Sequence, residues 1–275
     1  MTDSSLSPTE HRYPLRPWFH DRWRLLSLPL LTFIALPFLA LILRASPEQI
    51  VQHLNDPQVL LAARVSLQTT AVSVVIILIF GTPISYSLSH SQSTYHRIVD
   101  TLVDLPTVLP PAVAGVALLT TFGRRGLLGP LLDQVNLQPA FTQVAVVMAQ
   151  VFVAAPFYIK AAAIGFSSID PEIEQAASLD GAKPGEAFRF IVLPLSWQAL
   201  VSGIVMSWAR AIGEFGATLI FAGNFPGRTQ TMPIAIYMGF ELDLEVALTL
   251  SVILLMFSFI VLLLVKWLLY REERE

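Results

Sequence analysis

Between Val246 and Val265 the chain carries no charged residue, and Lys266 follows where such a run should stop. A helix needs about 20 mostly apolar residues to cross about 30 Å of hydrocarbon. In lipid the backbone has no water to bond, so a single spanning segment must satisfy its own peptide groups as a helix. Five further stretches have this character: Leu25–Leu43, Thr69–Leu88, Val103–Phe122, Phe141–Phe166 and Trp197–Ala222. Composition agrees. Charged residues make up 13% of the 275 and hydrophobic residues 54%; an average soluble domain is about 25% charged. The expected fold is therefore all-α, a polytopic bundle of about six transmembrane helices. A disordered chain and a disulfide scaffold are excluded, and zero cysteines remove thiolate metal sites and cysteine nucleophiles as well. A net charge of -3 offers no polycationic surface, so no nucleic-acid partner is expected.

The third stretch holds Pro106, Pro110 and Pro111. Freed backbone groups are tolerated in a membrane only where protein or water re-satisfies them, so this helix is either an interior element or a structural kink. Lys and Arg counts set the expected orientation. Arg12, Arg16, Arg22, Arg24, Arg97, Lys183, Arg189, Lys266, Arg271 and Arg274 fall on one side, and Arg44, Arg124, Arg125 and Arg228 on the other. That places both termini in the cytoplasm, with Arg124–Arg125 as the local dissent. The first apolar run is too long for a signal peptide and is followed by Arg44 where a small-residue cleavage site belongs, so it reads as a retained span. The leader Met1–Asp21 reads as a polar tail. The segments Gly123–Pro139 and Gly223–Glu245 read as the main outer connections.

Asp170–Pro194 is polar and carries its own helix signals. Asp170 can cap a helix opened by Pro171, Gly181 can end it, and Lys183-Pro184-Gly185 can turn the chain into a second short helix, Glu186–Leu193, ended by Pro194. Ile173, Ala176, Ala177 and Asp180 share one face of the first helix. Two alanines there make a surface that another protein can approach closely; a loop that only packs on its own bundle is the plainer alternative.

Gln175-Ala176-Ala177, three residues, Gly181, nine residues and Ile191-Val192-Leu193-Pro194 resemble the EAA loop of ABC-importer permeases. The departure is Gln175, where the family has glutamate; Glu174 precedes it. Leu105–Pro111 and Gly213–Tyr237 are similar to the oxyanion permeases of that family, molybdate permeases first and sulfate permeases second. The resemblance covers roughly residues 60 to 265. It implies a permease subunit of a molybdate importer at the cell membrane, with sulfate or tungstate as alternatives. It implies coupling to a separate cytoplasmic P-loop ATPase through Gln175, Ala176, Ala177, Gly181, Ile191, Leu193 and Pro194. Further implied partners are an extracytoplasmic oxyanion-binding protein and a second permease copy in a homodimer. Residues 1–22 and 271–275 become cytoplasmic tails and 23–270 the membrane domain, with the coupling loop at 167–196. No Walker A pattern G-x-x-x-x-G-K-[ST] occurs, so ATP hydrolysis is expected on a partner chain, and as a transport subunit this chain is not expected to be an enzyme.

Within the fifth stretch Arg210 and Glu214 stand four apart and can pair on one helix face. Either charge alone in hydrocarbon would cost several kcal/mol, by a roughly known scale. The pair reads as a staple, because Glu214 cancels much of the field an anion would feel; a role of Arg210 in anion passage is the functional alternative. Ala209, Gly213 and Ala217 form a small-residue row on the same helix. Lys160 reads as a snorkelling lysine and the five histidines as solvated, with no metal-ligand spacing and no cofactor site. An ion-gradient transporter and a membrane scaffold are the rival classes. Neither accounts for a long motif with fixed gaps.

Overall fold

The computed structural model describes residues 17–44, 47–91 and 93–272. Much of the expected tail, residues 1–16, and the last three residues lie outside the described residues. The chain divides into two compact units, Met1–Ser46 and Pro47–Glu275. The first unit holds one helix, α1 (Pro17–Arg44), which begins inside the stretch expected to be tail. Proline at a first helical position loses no hydrogen bond, and Pro17 stands there. Leu25–Arg44 is long and apolar enough to cross a bilayer, and its large side chains are exposed.

The second unit begins with α2 (Pro47–His53), α3 (Pro57–His90), α4 (Thr94–Val108), α5 (Pro111–Phe122) and α6 (Gly129–Gln134). It continues through α7 (Gln143–Ser167), α8 (Pro171–Leu179), α9 (Pro184–Ala187), a π-helical turn (Phe188–Val192) and α10 (Leu193–Leu195). The last elements are α11 (Trp197–Ile212), α12 (Gly216–Phe221), α13 (Met232–Leu242) and α14 (Leu244–Glu272). The described residues are overwhelmingly helical, as expected. Among the described residues four helices are long and apolar enough to span, and up to six spans result if each of two bent helix pairs counts as one.

The expected third span is one of these pairs. It is no straight passage: the chain bends by 117° between α4 and α5. Pro106 sits inside α4, and the break comes at Leu109, which takes an extended ψ of 136 ahead of Pro110. The clash of a proline ring with the residue before it disfavours the helical region there. At 12 residues α5 is about 18 Å long, too short to span alone. No described side chain of α4 is buried, and Tyr95, Ile98, Leu102 and Leu105 line its exposed face. Its acidic face is clamped. Lys160 of α7, read from the sequence as merely snorkelling, lies 2.6 Å from Asp100 and 2.9 Å from Asp104.

The axis of the unit is α3 against α7, with α11 packed on α7. Small residues let these helices approach: a Cβ on Gly203 would sit 3.0 Å from the Ala161 methyl, and one on Gly165 would collide with Ala199. Polar groups inside the α3–α7 seam are paired. The Ser73 hydroxyl donates to Gln150 Oε1 at 2.9 Å, Gln150 Nε2 donates to Thr70 Oγ1 at 3.2 Å, and Thr82 and Tyr158 share a hydrogen bond of 2.7 Å. Without water to compete, such bonds hold helix registers together. One apolar cluster joins α5, α7 and α12 around Leu118, Val146 and Phe221. A second joins α3, α7 and α11 around Ile77, Tyr158, Phe166, Val192 and Leu200. A third joins α3, α13 and α14 around Val59, Met232 and Leu250. α13 lies within a stretch read from the sequence as a loop. Its first residue is fixed by the Met232 amide, which donates to Ser66 Oγ of α3 at 2.7 Å.

Candidate coupling site

Asp170 Oδ1 accepts from the Glu172 amide at 3.0 Å, and Pro171 opens α8. The helix ends in a Schellman turn: the Gly181 amide donates to Ser178 O at 3.1 Å and the Ala182 amide to Ala177 O at 3.0 Å. That closure needs a left-handed residue, and Gly181 takes φ +91. A Cβ added there would meet nothing within 4 Å. The glycine is thus required by backbone geometry, and the space above it is open.

The return segment differs from expectation. A second helix was expected to stop at Pro194; instead the chain stays helical from Pro184 to Leu195 through the π turn, where the Leu193 amide donates to Phe188 O. Pro194 has no N–H, and in a regular α-helix its ring would press on the carbonyl of Phe190. Widening one turn relieves that contact without ending the helix. Ser196 then turns the chain by 75° into α11, its hydroxyl donating to Val192 O at 2.6 Å.

Gln175, Ala176, Gly181 and Pro194 are exposed, while Ala177, Ile191 and Leu193 are half-buried. Between them Val192 is fully buried, which roots the return segment in the bundle. Leu179 is 89% exposed at the end of α8.

One side chain of this loop, noted in the sequence only as the neighbour of Gln175, has a contact the sequence did not indicate. Glu174 turns inward, its Oε2 accepting from the Tyr86 hydroxyl at 3.0 Å and its Oε1 lying 3.2 Å from His90 Nε2. His90 was read as solvated. Its side chain is indeed 41% exposed, but as the last residue of α3 it also holds this contact. His96 likewise lies 2.7 Å from Ser93 Oγ. The available signal was helical phase: Glu174 is one residue, about 100°, from Gln175 on α8.

Arg210 and Glu214 come together as an ion pair of 2.7 Å, but not along one helix. α11 ends at Ile212 and α12 starts at Gly216, so the pair bridges a break. Glu214 is 1% exposed, and its second oxygen accepts from the Ala217 amide at 2.8 Å. The carboxylate thus takes over a backbone donor that the break would leave unpaired. Arg210 keeps 28% of its side chain exposed and most of its five donors unused by Glu214. Trp208 packs edge-on against Phe257 of α14, ring centroids 5.7 Å apart. Among the described residues no group of three or more His, Asp or Glu side chains could hold a metal ion.

Residues 73–273 match the family described as binding-protein-dependent transport system inner membrane component. The chain belongs to that family. It is thus a multi-pass membrane permease subunit, and such subunits are transport components and not enzymes. The molybdenum transport system permease protein ModB of Mycobacterium tuberculosis is 36% identical over 233 residues, covering 85% of this permease and 88% of that protein. The molybdate/tungstate transport system permease protein WtpB of Thermococcus kodakarensis is 34% identical over 246 residues, covering 89% and 93%. In three dimensions the permease is similar to a chain of a bacterial ABC transporter involved in the import of alginate. The TM-score is 0.69 at 16% identity, covering 93% of the permease and 96% of that chain, which is a likeness of fold.

Proposed function

We propose that this permease is the membrane subunit of an ATP-driven importer for molybdate or a similar tetrahedral oxyanion. Two copies form the pathway. A cytoplasmic P-loop ATPase docks on 171–194, and a binding protein delivers the anion from the opposite side. Both termini lie on the ATPase side. The observation that carries the reading is the loop itself: an exposed, capped helix on a rooted return segment that leads through the single bend at Ser196 into α11. Closure of an ATPase dimer is a rigid-body movement, and a helical element rooted in the bundle and joined directly to a pathway helix is what can transmit it. The oxyanion class is supported by the names of the relatives at 34% and 36% identity.

Near the pathway the charge that matters is Arg210. Paired with Glu214 at 2.7 Å but 28% exposed, it can attract a dianion weakly without holding it tightly. A deep unpaired cationic site would retain the ion and stop transport.

The test is uptake of labelled molybdate and sulfate by proteoliposomes holding the permease, its ATPase and its binding protein. Molybdate uptake is expected only with ATP and the binding protein, and a tenfold excess of sulfate should reduce it little. Uptake driven by an ion gradient without ATP would overturn the ATP-driven reading. Equal uptake of sulfate would move the substrate assignment to oxyanions in general.

A further inference from the structure

We infer that Glu174 is a positioning residue that fastens the coupling helix α8 to the end of α3, so that movement of the loop enters the α3–α7 pair as well as α11. The inference rests on the coupling role proposed above and adds a second route out of the same loop.

Three observations meet here. Both carboxylate oxygens of Glu174 are used, one by the Tyr86 hydroxyl at 3.0 Å and one by His90 Nε2 at 3.2 Å. Both partners belong to the last turns of α3. Among the described residues, these are the side-chain hydrogen bonds that join α8 to a membrane-spanning helix. Tyr86 is in turn a packing node. Its ring lies edge-on to Phe166 of α7 at 5.7 Å and to Phe188 of the return segment at 4.9 Å, with the His90 ring 4.2 Å away. So the residue that receives Glu174 touches the helix before the loop, the segment after it, and α3 itself.

The mechanical consequence is simple. A short helix held only at its two ends can turn about the line joining them, and a push on its outer face is lost as rotation. The Schellman turn at Gly181 closes the end of α8 on itself and adds no bond to the bundle. A third contact away from that line stops the turning. Glu174 supplies it, while its neighbour Gln175 faces outward and carries no charge. The two positions thereby divide the labour: the outward amide meets the partner, and the inward carboxylate meets the bundle. From there the seam of Ser73, Gln150, Thr82 and Tyr158 ties α3 to α7, so the two move together.

The test uses the full complex of permease, ATPase and binding protein in proteoliposomes. Three quantities are read: ATPase retained on purification, ATP hydrolysed, and molybdate moved per ATP. Glu174→Ala should retain the ATPase and hydrolyse ATP, while molybdate moved per ATP falls about fivefold, within the range seen for coupling residues. Glu174→Gln keeps an acceptor for Tyr86 and should recover most of that loss. Tyr86→Phe should lower the ratio less, and adding it to Glu174→Ala should lower the ratio no further, because both remove one contact. An unchanged ratio in Glu174→Ala would overturn the inference. So would loss of the ATPase in step with transport, which would put Glu174 in the docking surface. If the native permease itself holds no ATPase, the coupling reading beneath it fails first, and this inference with it.

Discussion

At Glu214 one oxygen accepts from the Ala217 amide and the other faces Arg210 across a break in the helix. Removing the arginine leaves a charge that is 1% exposed without its partner. Breaking a buried pair costs about 3 kcal/mol or more. Arg210→Met should therefore lower the unfolding midpoint of the detergent-solubilised permease clearly. Adding Glu214→Gln removes the stranded charge and keeps an acceptor for Ala217, so the double variant should regain most of that stability. A double variant as unstable as the sum of both singles would show that the two side chains act independently. The spacing of Arg210 and Glu214 is visible in the sequence; the break between them is not. Gly213 sits between them, but glycine is common in membrane helices that stay intact. What decides is the packing of α12, whose Ala217 and Phe221 bury against α5 and α7.

Elements built from local chemistry were the legible ones. Asp170, Pro171 and Gly181 specify the start and end of α8 by bonds reaching at most five residues, and the structure forms all of them. The π turn ahead of Pro194 and the bend at Leu109 have local proline causes, but a proline in a linear pattern fits a stop, a kink or a widened turn alike; the tether of Glu174 answers to a tertiary contact, which a linear pattern does not carry. This distinction separates two glycine substitutions. Gly181→Ala forces a side chain into φ +91 and should cost about 1 kcal/mol with the ATPase still bound. Gly181→Trp carries the same strain but fills the open space above the turn, so the ATPase should fail to co-purify; full retention would argue against docking there. In the α3–α7–α11 core, sterics should outweigh hydrogen bonding. Gln150→Leu loses bonds worth about 1 kcal/mol in a membrane. Gly203→Leu instead must push apart Ala161 and Tyr158, which already stand 3.0 and 3.2 Å from an ideal Cβ position, and overpacking costs about 1–3 kcal/mol. Thermal unfolding of the two variants should rank Gly203→Leu as the less stable.

For the whole molecule, the reading depends on which side of the bilayer the coupling loop occupies. The apolar runs that make the spans are the part of the fold most open to sequence reading, because lipid imposes one length and one backbone solution on each of them. Orientation has a different cause, the retention of Lys and Arg on the cytoplasmic side, and the Arg124–Arg125 pair opposes it locally. The absence of any native cysteine makes a direct measurement possible, since each introduced thiol is the sole target of a membrane-impermeant reagent. Ser178→Cys on α8 and Gln134→Cys on α6 are both exposed positions, so burial does not bias the comparison. In intact cells the thiol at 134 should label and the thiol at 178 should not. After permeabilisation both should label, and bound ATPase should slow the reaction at 178 alone. Labelling at 178 in intact cells would put the loop outside, where no cytoplasmic ATPase could reach it. The alternative of a loop that packs only on its own bundle predicts the same sidedness but no protection at 178, so the ATPase arm of the experiment separates an orientation from a coupling role.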